Sequence, residues 1–304
     1  MNKNLKIVLN VMVLLLIGGF VWYIVTSINK EEIAYAESYS EAEITFVSSY
    51  DLVSDFTLPA EINRFEYSDD KLFISAGNAI YVYSLDGEKQ TFFAVNPDVR
   101  DIAVEGDRIY VLYPALIEVY SQQGDSIHQW EACSDLSDYC SLAIAGDFVF
   151  VTDAANKNIC KYTKEGYFVK FIQSPRGFII PSYAFDIASR NDTIFCSNAG
   201  RHLVESYTLD GDFIAAFGGP GGESGFFAGC CNPSFLTFTS DGKLLTSEKG
   251  NPRISSFNRN GKFGEILLNS RLLGGGNKAY EMRSKDNLLF VAGKNKISTF
   301  KQKD

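Results

Sequence analysis

Lys71-Leu72-Phe73-Ile74-Ser75-Ala76-Gly77-Asn78-Ala79-Ile80-Tyr81-Val82-Tyr83-Ser84-Leu85-Asp86-Gly87 holds two β-rich runs, parted by a short polar break and closed by a glycine turn. Aromatic and β-branched side chains suit a pleated, half-buried surface, so both runs read as strands. The first run returns as Arg108-Ile109-Tyr110-Val111, Phe148-Val149-Phe150-Val151, Thr193-Ile194-Phe195-Cys196, Lys243-Leu244-Leu245-Thr246 and Asn287-Leu288-Leu289-Phe290-Val291. Five of these six modules end on a turn glycine, Gly87, Gly124, Gly166, Gly211 or Gly261, set 16, 16, 18, 18 and 18 residues after the run begins. Glycine belongs where a tight hairpin needs positive φ. The runs recur every 37 to 50 residues, room for four short strands each, which predicts an all-β, six-bladed β-propeller.

The sixth module reaches the chain end after Ile297-Ser298-Thr299-Phe300, one strand short. Glu43-Ile44-Thr45-Phe46-Val47 has the alternation of a strand. Residues 43–49 are therefore expected to close the ring against the C-terminal strand, covering edges that would otherwise invite aggregation.

Composition agrees with a folded all-β chain: 46% of the 304 residues are hydrophobic, 21% are charged, and 24 Phe and 16 Tyr lean toward strands. Net charge is −9, and the chain beyond residue 29 carries 37 acids against 26 bases. Such a surface repels phosphate backbones, which excludes nucleic acid as an expected partner and disfavours anionic headgroups.

Residues 7–25 are apolar apart from Asn10, with Trp22 and Tyr23 near the far end. Nineteen helical residues extend about 28 Å, close to the hydrocarbon thickness of a bilayer. Lys3 and Lys6 precede the run, whereas Lys30 is followed at once by Glu31 and Glu32. The positive-inside rule then keeps the N-terminus cytoplasmic. The expected organisation is a cytoplasmic start and transmembrane signal-anchor at 1–28, a polar stalk at 29–42, and the propeller at 43–304. It would be a single-pass inner (cytoplasmic) membrane protein with the propeller on the periplasmic or extracellular side. A cleaved signal peptide, using Ala34-Tyr35-Ala36, remains the alternative and exports the same domain.

The fifth module, Asn232-Pro233-Ser234-Phe235-Leu236-Thr237-Phe238-Thr239-Ser240-Asp241-Gly242-Lys243, is followed by Asn251-Pro252-Arg253-Ile254-Ser255-Ser256-Phe257. It resembles an NHL repeat: proline, apolar run, DG turn, then an N-x-R-I-x-x-F strand. The resemblance to NHL-repeat six-bladed propellers extends over roughly residues 43–304. Modules one, two and six keep only the apolar skeleton, and Glu248 stands where the family usually has Asp. The pairing of GCCNP (229–233) with TSEKG (246–250) is similar to that of a membrane-anchored NHL-type subgroup to which no activity is attached. Fold follows from such a resemblance; function does not, because these propellers include binding modules, scaffolds and a few enzymes.

In propellers of this kind the loops between blades and the loops between second and third strands share one face. The repeat register puts Cys133, Cys140, Cys230 and Cys231 in inter-blade loops, and Asp153, Arg201, His202, Glu248, Lys249 and Arg253 in inner loops, all on that face. Expected ligand-binding residues are Cys230, Cys231, Asn232, His202, Arg201, Glu248, Lys249 and Arg253. Arg253 matches the strand arginine of the resembled family, where it pairs with a loop acid. Residues 217–233, rich in glycine, lack the Lys-Ser/Thr pair and following helix of a phosphate cradle and fit a long inter-blade loop.

Adjacent cysteines offer two sulfurs at one point. Three readings stay open for Cys230 and Cys231: a vicinal or cross-loop disulfide, a metal or cofactor site with His202 or Glu248, or buried thiols. Cys133 and Cys140 flank a turn and are expected to form a disulfide in an oxidising compartment. Cys160 and Cys196 read as core. Only two histidines exist, His128 and His202, too few for a multi-histidine metal site and a poor basis for a histidine triad.

The leading expectation is a non-enzymatic binding or scaffolding propeller that engages a protein or small ligand through its loop face. The rival is a redox or metal-dependent accessory protein or enzyme centred on Cys230 and Cys231, with no cofactor identified. A hydrolase or lyase would need a ring of acids and polar residues around the central channel, which spacing alone does not locate.

Overall fold

The computed structural model describes residues 10, 12–23, 42 and 45–303. It contains six four-stranded antiparallel sheets. Blade one is Ile62–Ser68, Lys71–Ala76, Ala79–Ser84 and Lys89–Ala94. Blade two is Asp101–Glu105, Arg108–Tyr113, Leu116–Ser121 and Ser126–Glu131, and blade three Tyr139–Ala145, Phe148–Asp153, Asn158–Thr163 and Phe168–Ile172. Blade four is Ile187–Arg190, Thr193–Asn198, Leu203–Thr208 and Phe213–Gly218, and blade five Phe235–Phe238, Leu244–Glu248, Arg253–Phe257 and Phe263–Leu268. Blade six takes Met282–Lys285, Leu288–Ala292 and Lys296–Gln302 from the C-terminus and Tyr50–Thr57 from the other end of the domain.

The ring thus closes as expected, but the closing strand is Tyr50–Thr57 and not residues 43–49. Phe56 pairs with Ile297 and Asp55 with Ser298. The outermost strand of a blade buries little, so Asp51, Ser54 and Asp55 are tolerated there and Leu52 and Val53 stay exposed. The apolar alternation of 43–47 was therefore the wrong signal to follow.

Six large buried clusters lie one between each pair of adjacent blades. The turn glycines sit in these interfaces, beneath the outer strand of the preceding blade. A Cβ on Gly166 would lie 2.4 Å from the Trp130 indole, and one on Gly261 2.3 Å from Phe217. Both glycines also hold φ near +91° and +79°, so conformation and space each require glycine.

Residues 12–23 are helical, and Met12, Leu14, Leu15, Leu16, Ile17 and Phe20 are all more than half exposed. Among the described residues no helix is long and apolar enough to cross a membrane. The expected span of 7–25 runs past the described helix at both ends, and the stalk at 29–42 falls, apart from residue 42, outside the described residues.

Candidate functional site

In its inner strand, or one residue before it for Asp186 and Glu281, each blade places one residue at the loop-face mouth of the channel: Arg64, Asp101, Ser141, Asp186, Phe235 and Glu281 from blades one to six. Their equivalence is seen in the ladder, where Arg64 pairs with Ser75, Asp101 with Leu112, Ser141 with Thr152 and Phe235 with Ser247. Ser197 N–H donates to the Asp186 carbonyl and Ala292 N–H to that of Glu281, which completes the set.

The acids stand on alternate blades, and each clasps the next blade. Asp101 accepts Leu142 N–H at 2.9 Å, Asp186 accepts Leu236 N–H at 2.6 Å, and Glu281 accepts Phe65 N–H at 3.2 Å. Ser141 Oγ links two of them, 2.6 Å from Asp101 and 2.9 Å from Asp186. One hydroxyl has one proton to give. A proton on Asp186 would complete the chain from Asp186 through Ser141 to Asp101. Burial, then the neighbouring Asp101 carboxylate, push Asp186 up to about 6.

Burial likewise pushes Glu281 up to about 8 against the pull of Arg283 and Arg64. Two residues deeper, Arg283 joins Glu281 and Glu66, each at 3.0 Å. The acids of the channel therefore hold the ring together; their oxygens are taken by backbone N–H groups, Ser141 and Arg283.

Arg64 is placed differently. Its guanidinium lies over the Phe235 ring, 5.1 Å from the centroid, and approaches Asp101 only to 3.8 Å. It donates from Nη1 to the Asn63 carbonyl, while its buried Nε, the atom that faces Asp101, makes no hydrogen bond. Arg64 and Phe235 line two concavities that meet at the mouth, of about 500 and 340 Å³. Asn277, Lys278 and Ala279 line both as well. Lys294 borders the larger one and Lys249 the smaller.

The expected site residues divide into two groups. Buried Glu248 and partly buried Arg253 form a pair at 2.6 Å that clamps the glycine-rich loop: Glu248 accepts Ala228 N–H, and Arg253 donates to the carbonyls of Gly222 and Phe226. Burial raises the Glu248 carboxyl despite Arg253. Asn232, fully buried, donates to the carbonyls of Ala228 and Lys249 and accepts Lys249 N–H. Arg201 donates to the carbonyls of Gly177 and Arg176. Asp153 accepts the N–H groups of Asp138 and Asn156. These side chains shape loops.

Cys231 and Lys249, by contrast, stand at the edge of the mouth. Cys231 Sγ lies 2.9 Å from Cys230 Sγ and 3.8 Å from Ser182 Oγ, and Ser182 and Lys249 line the smaller concavity. His202 is not gathered with the cysteines. Its Nδ1 is buried and makes no hydrogen bond, and its ring acts on the Glu248 carboxyl only weakly against the burial that raises that acid. Among the described residues no group of three or more His, Cys, Asp or Glu side chains is placed to hold a metal ion, so Cys230, Cys231 and His202 do not form the expected metal set.

The expected Cys133–Cys140 disulfide is also not made. All six cysteines are free, and Cys133 Sγ faces Cys160 Sγ at 3.2 Å. Cys133 follows the outer strand of blade two, whereas Cys140 lies in the inner strand of blade three. The chain crosses the radius of the ring between them. Cys160 and Cys196 are fully buried core residues, and His128, on an outer strand, bonds the Glu165 carbonyl.

Sequence reading missed the ring at the mouth. The signal was present: the ring residue stands seven positions before the second strand in blades one, two, three, four and six, and nine before it in blade five. Single polar residues spaced by whole blades give no local motif.

An all-β ring of six blades, closed by N- and C-terminal strands and carrying its polar concavities at one channel mouth, defines a six-bladed β-propeller. No family model and no curated protein matches the chain. Solved structures do: virginiamycin B lyase from Staphylococcus aureus is 15% identical, with TM-score 0.60 over 83% of this chain and 99% of that one. A streptogramin B lyase is 16% identical, with TM-score 0.60 over 87% of this chain and 100% of that one. A protein of unknown function from Bacteroides thetaiotaomicron is 14% identical, with TM-score 0.63 over 84% of this chain and 74% of that one. At such identities the likeness establishes the fold alone.

Proposed function

We propose that this chain is a membrane-anchored, extracytoplasmic binding propeller that captures an anionic ligand, a small carboxylate or an acidic protein segment, at its loop-face mouth. One observation carries the reading: at the junction of two concavities the Arg64 guanidinium lies over the Phe235 ring, its Nε making no hydrogen bond and reaching Asp101 only at 3.8 Å. A guanidinium with donors to spare above an apolar floor is suited to a carboxylate attached to an apolar body. Lys249 and Lys294 add positive charge at the rim of a chain whose net charge is −9, and Lys278 stands there 3.8 Å from Glu61.

The anchor is supported by the apolar run at 7–25 and by the exposed side chains around helix 12–23, which need an apolar medium outside the propeller. The NHL-like fifth blade supports placing the chain among NHL-type propellers. A lyase role has less behind it. A His-to-Ala variant of the Staphylococcus aureus lyase is catalytically inactive; of the two histidines here, His128 lies on an outer strand bonded to the Glu165 carbonyl and His202 has a buried Nδ1.

The test is calorimetric titration of the full chain in detergent micelles with hexaglutamate and with citrate. Saturable binding that weakens with salt, and that Arg64→Ala and Lys278→Ala each reduce about tenfold or more, is expected. Binding indifferent to both substitutions would remove the mouth as the site.

A further inference from the structure

Cys230 and Cys231 are not used by the binding reading, and their arrangement is unequal. Cys230 is exposed, Cys231 is 1% exposed, and their sulfurs are 2.9 Å apart. Cys231 packs in a small buried cluster with Ala184 and Ala199. Ser182, 3.8 Å from its sulfur, holds φ of 54°, and its neighbour Tyr183 58°. Two consecutive non-glycine residues in left-handed conformation are a costly arrangement that the surrounding loops must impose. The loop is held from below by Asn232, which fixes the backbone of Lys249 against it.

We propose that Cys230 and Cys231 form a thiol–disulfide exchange site at the channel mouth, with Cys230 as the attacked sulfur and Cys231 as the leaving sulfur, serving low-molecular-weight thiols and disulfides. The proposal stands apart from the anionic-ligand reading. In the oxidised state a thiolate RS⁻ reaches only Cys230 Sγ. The R–S–Sγ bond forms, the Sγ–Sγ bond breaks, and the electron pair departs on Cys231 Sγ. A second RS⁻ attacks the R sulfur of the mixed disulfide, releasing RSSR and the Cys230 thiolate, which takes up a proton. Two thiols are oxidised and the cysteine pair is reduced by two electrons. A more oxidising small disulfide reverses the sequence and restores the pair.

Exchange is fastest when the attacked sulfur is accessible and the leaving thiol is the more acidic. The pair meets both conditions. Burial raises the Cys231 thiol, but its hydrogen bonds with Cys230, Ser182 and Lys249, with the Lys249 charge, outweigh it and lower the pKa. Cys230 is shifted the other way, first by its hydrogen bond with Cys231.

The experiment treats the full chain in detergent micelles with oxidised glutathione and maps the products by mass spectrometry. The native chain is expected to form a Cys230–Cys231 disulfide without retaining glutathione. Cys231→Ser is expected to trap one glutathione on Cys230, and Cys230→Ser none on Cys231. Lys249→Met should slow reduction of the pair by reduced glutathione roughly tenfold. Cys230 is exposed, so Cys230→Ser gives a readable result even if Cys231→Ser folds poorly. Absence of the vicinal disulfide at every glutathione ratio, or ready glutathionylation of Cys231 in Cys230→Ser, would overturn the proposal.

Discussion

Gly166 is confined twice, by a φ of +91° and by the Trp130 indole 2.4 Å from where a Cβ would stand. Alanine there should cost roughly 1–2 kcal/mol for conformation and roughly 1–3 kcal/mol for overpacking. Gly106, at φ +57° with open space around it, provides the contrast: alanine should cost roughly 1–2 kcal/mol. Urea unfolding of the two variants measures the difference, and equal losses would contradict the wedge between blades. The turn glycines were legible in the sequence because their conformation marks a hairpin. Their second role was not, since the side chain above each, aromatic in four cases and Ile172 over Gly211, comes from the preceding blade.

Glu281 makes a prediction of opposite kind. Its pKa rises from 4.5 to about 8 through burial, so between those values the folded chain holds a proton that the unfolded chain has released. This contribution to stability is full below about pH 4.5 and is lost as pH rises toward 8. Glu281→Gln should flatten the fall in melting temperature between pH 5 and about 8.5; an unchanged slope would place the titration elsewhere.

At the scale of the element, the strands that could be read were those buried on both faces. Lys71–Ala76 is buried at all but its first residue and Leu244–Glu248 throughout, and both announce themselves as apolar runs. Outer strands do not: Lys89–Ala94 and Tyr50–Thr57 are mostly exposed, so their sequences are free to be polar and the closing strand was misplaced. Closure nevertheless rests on specific packing. Phe56 stacks on Tyr83 with centroids 4.8 Å apart and covers Gly87. Phe56→Ala should destabilise the propeller by roughly 2–4 kcal/mol, with hydrogen exchange rising first in Lys296–Gln302, its pairing partner. Uniform loss of protection around the ring would argue that the closing strand is no weaker than the rest.

For the molecule as a whole, alternation is the organising feature of the mouth. Blades two, four and six supply acids that clasp their neighbours, and blades one, three and five supply Arg64, Ser141 and Phe235. Three-fold clasping fixes the ring and leaves one side of the mouth to Arg64, Phe235 and the rim lysines. The candidate site was legible only in part. The cysteine pair and Lys249 stood out by sequence, whereas Arg64 and Glu281, 217 positions apart, meet only in the closed ring. The N-terminal segment adds a prediction of its own: the full chain should sediment with membranes, and a chain lacking residues 1–28 should not. Retention of the shortened chain would shift the tether to the propeller.

Amide hydrogen exchange on the full chain, with and without hexaglutamate, asks whether the loop-face mouth is where this propeller binds. Protection is predicted at residues 61–64, 234–235 and 275–281, around the concavities that Arg64 joins. Protection confined to the outer strands, or to the deeper channel end near Glu66, Thr237 and Arg283, would contradict it.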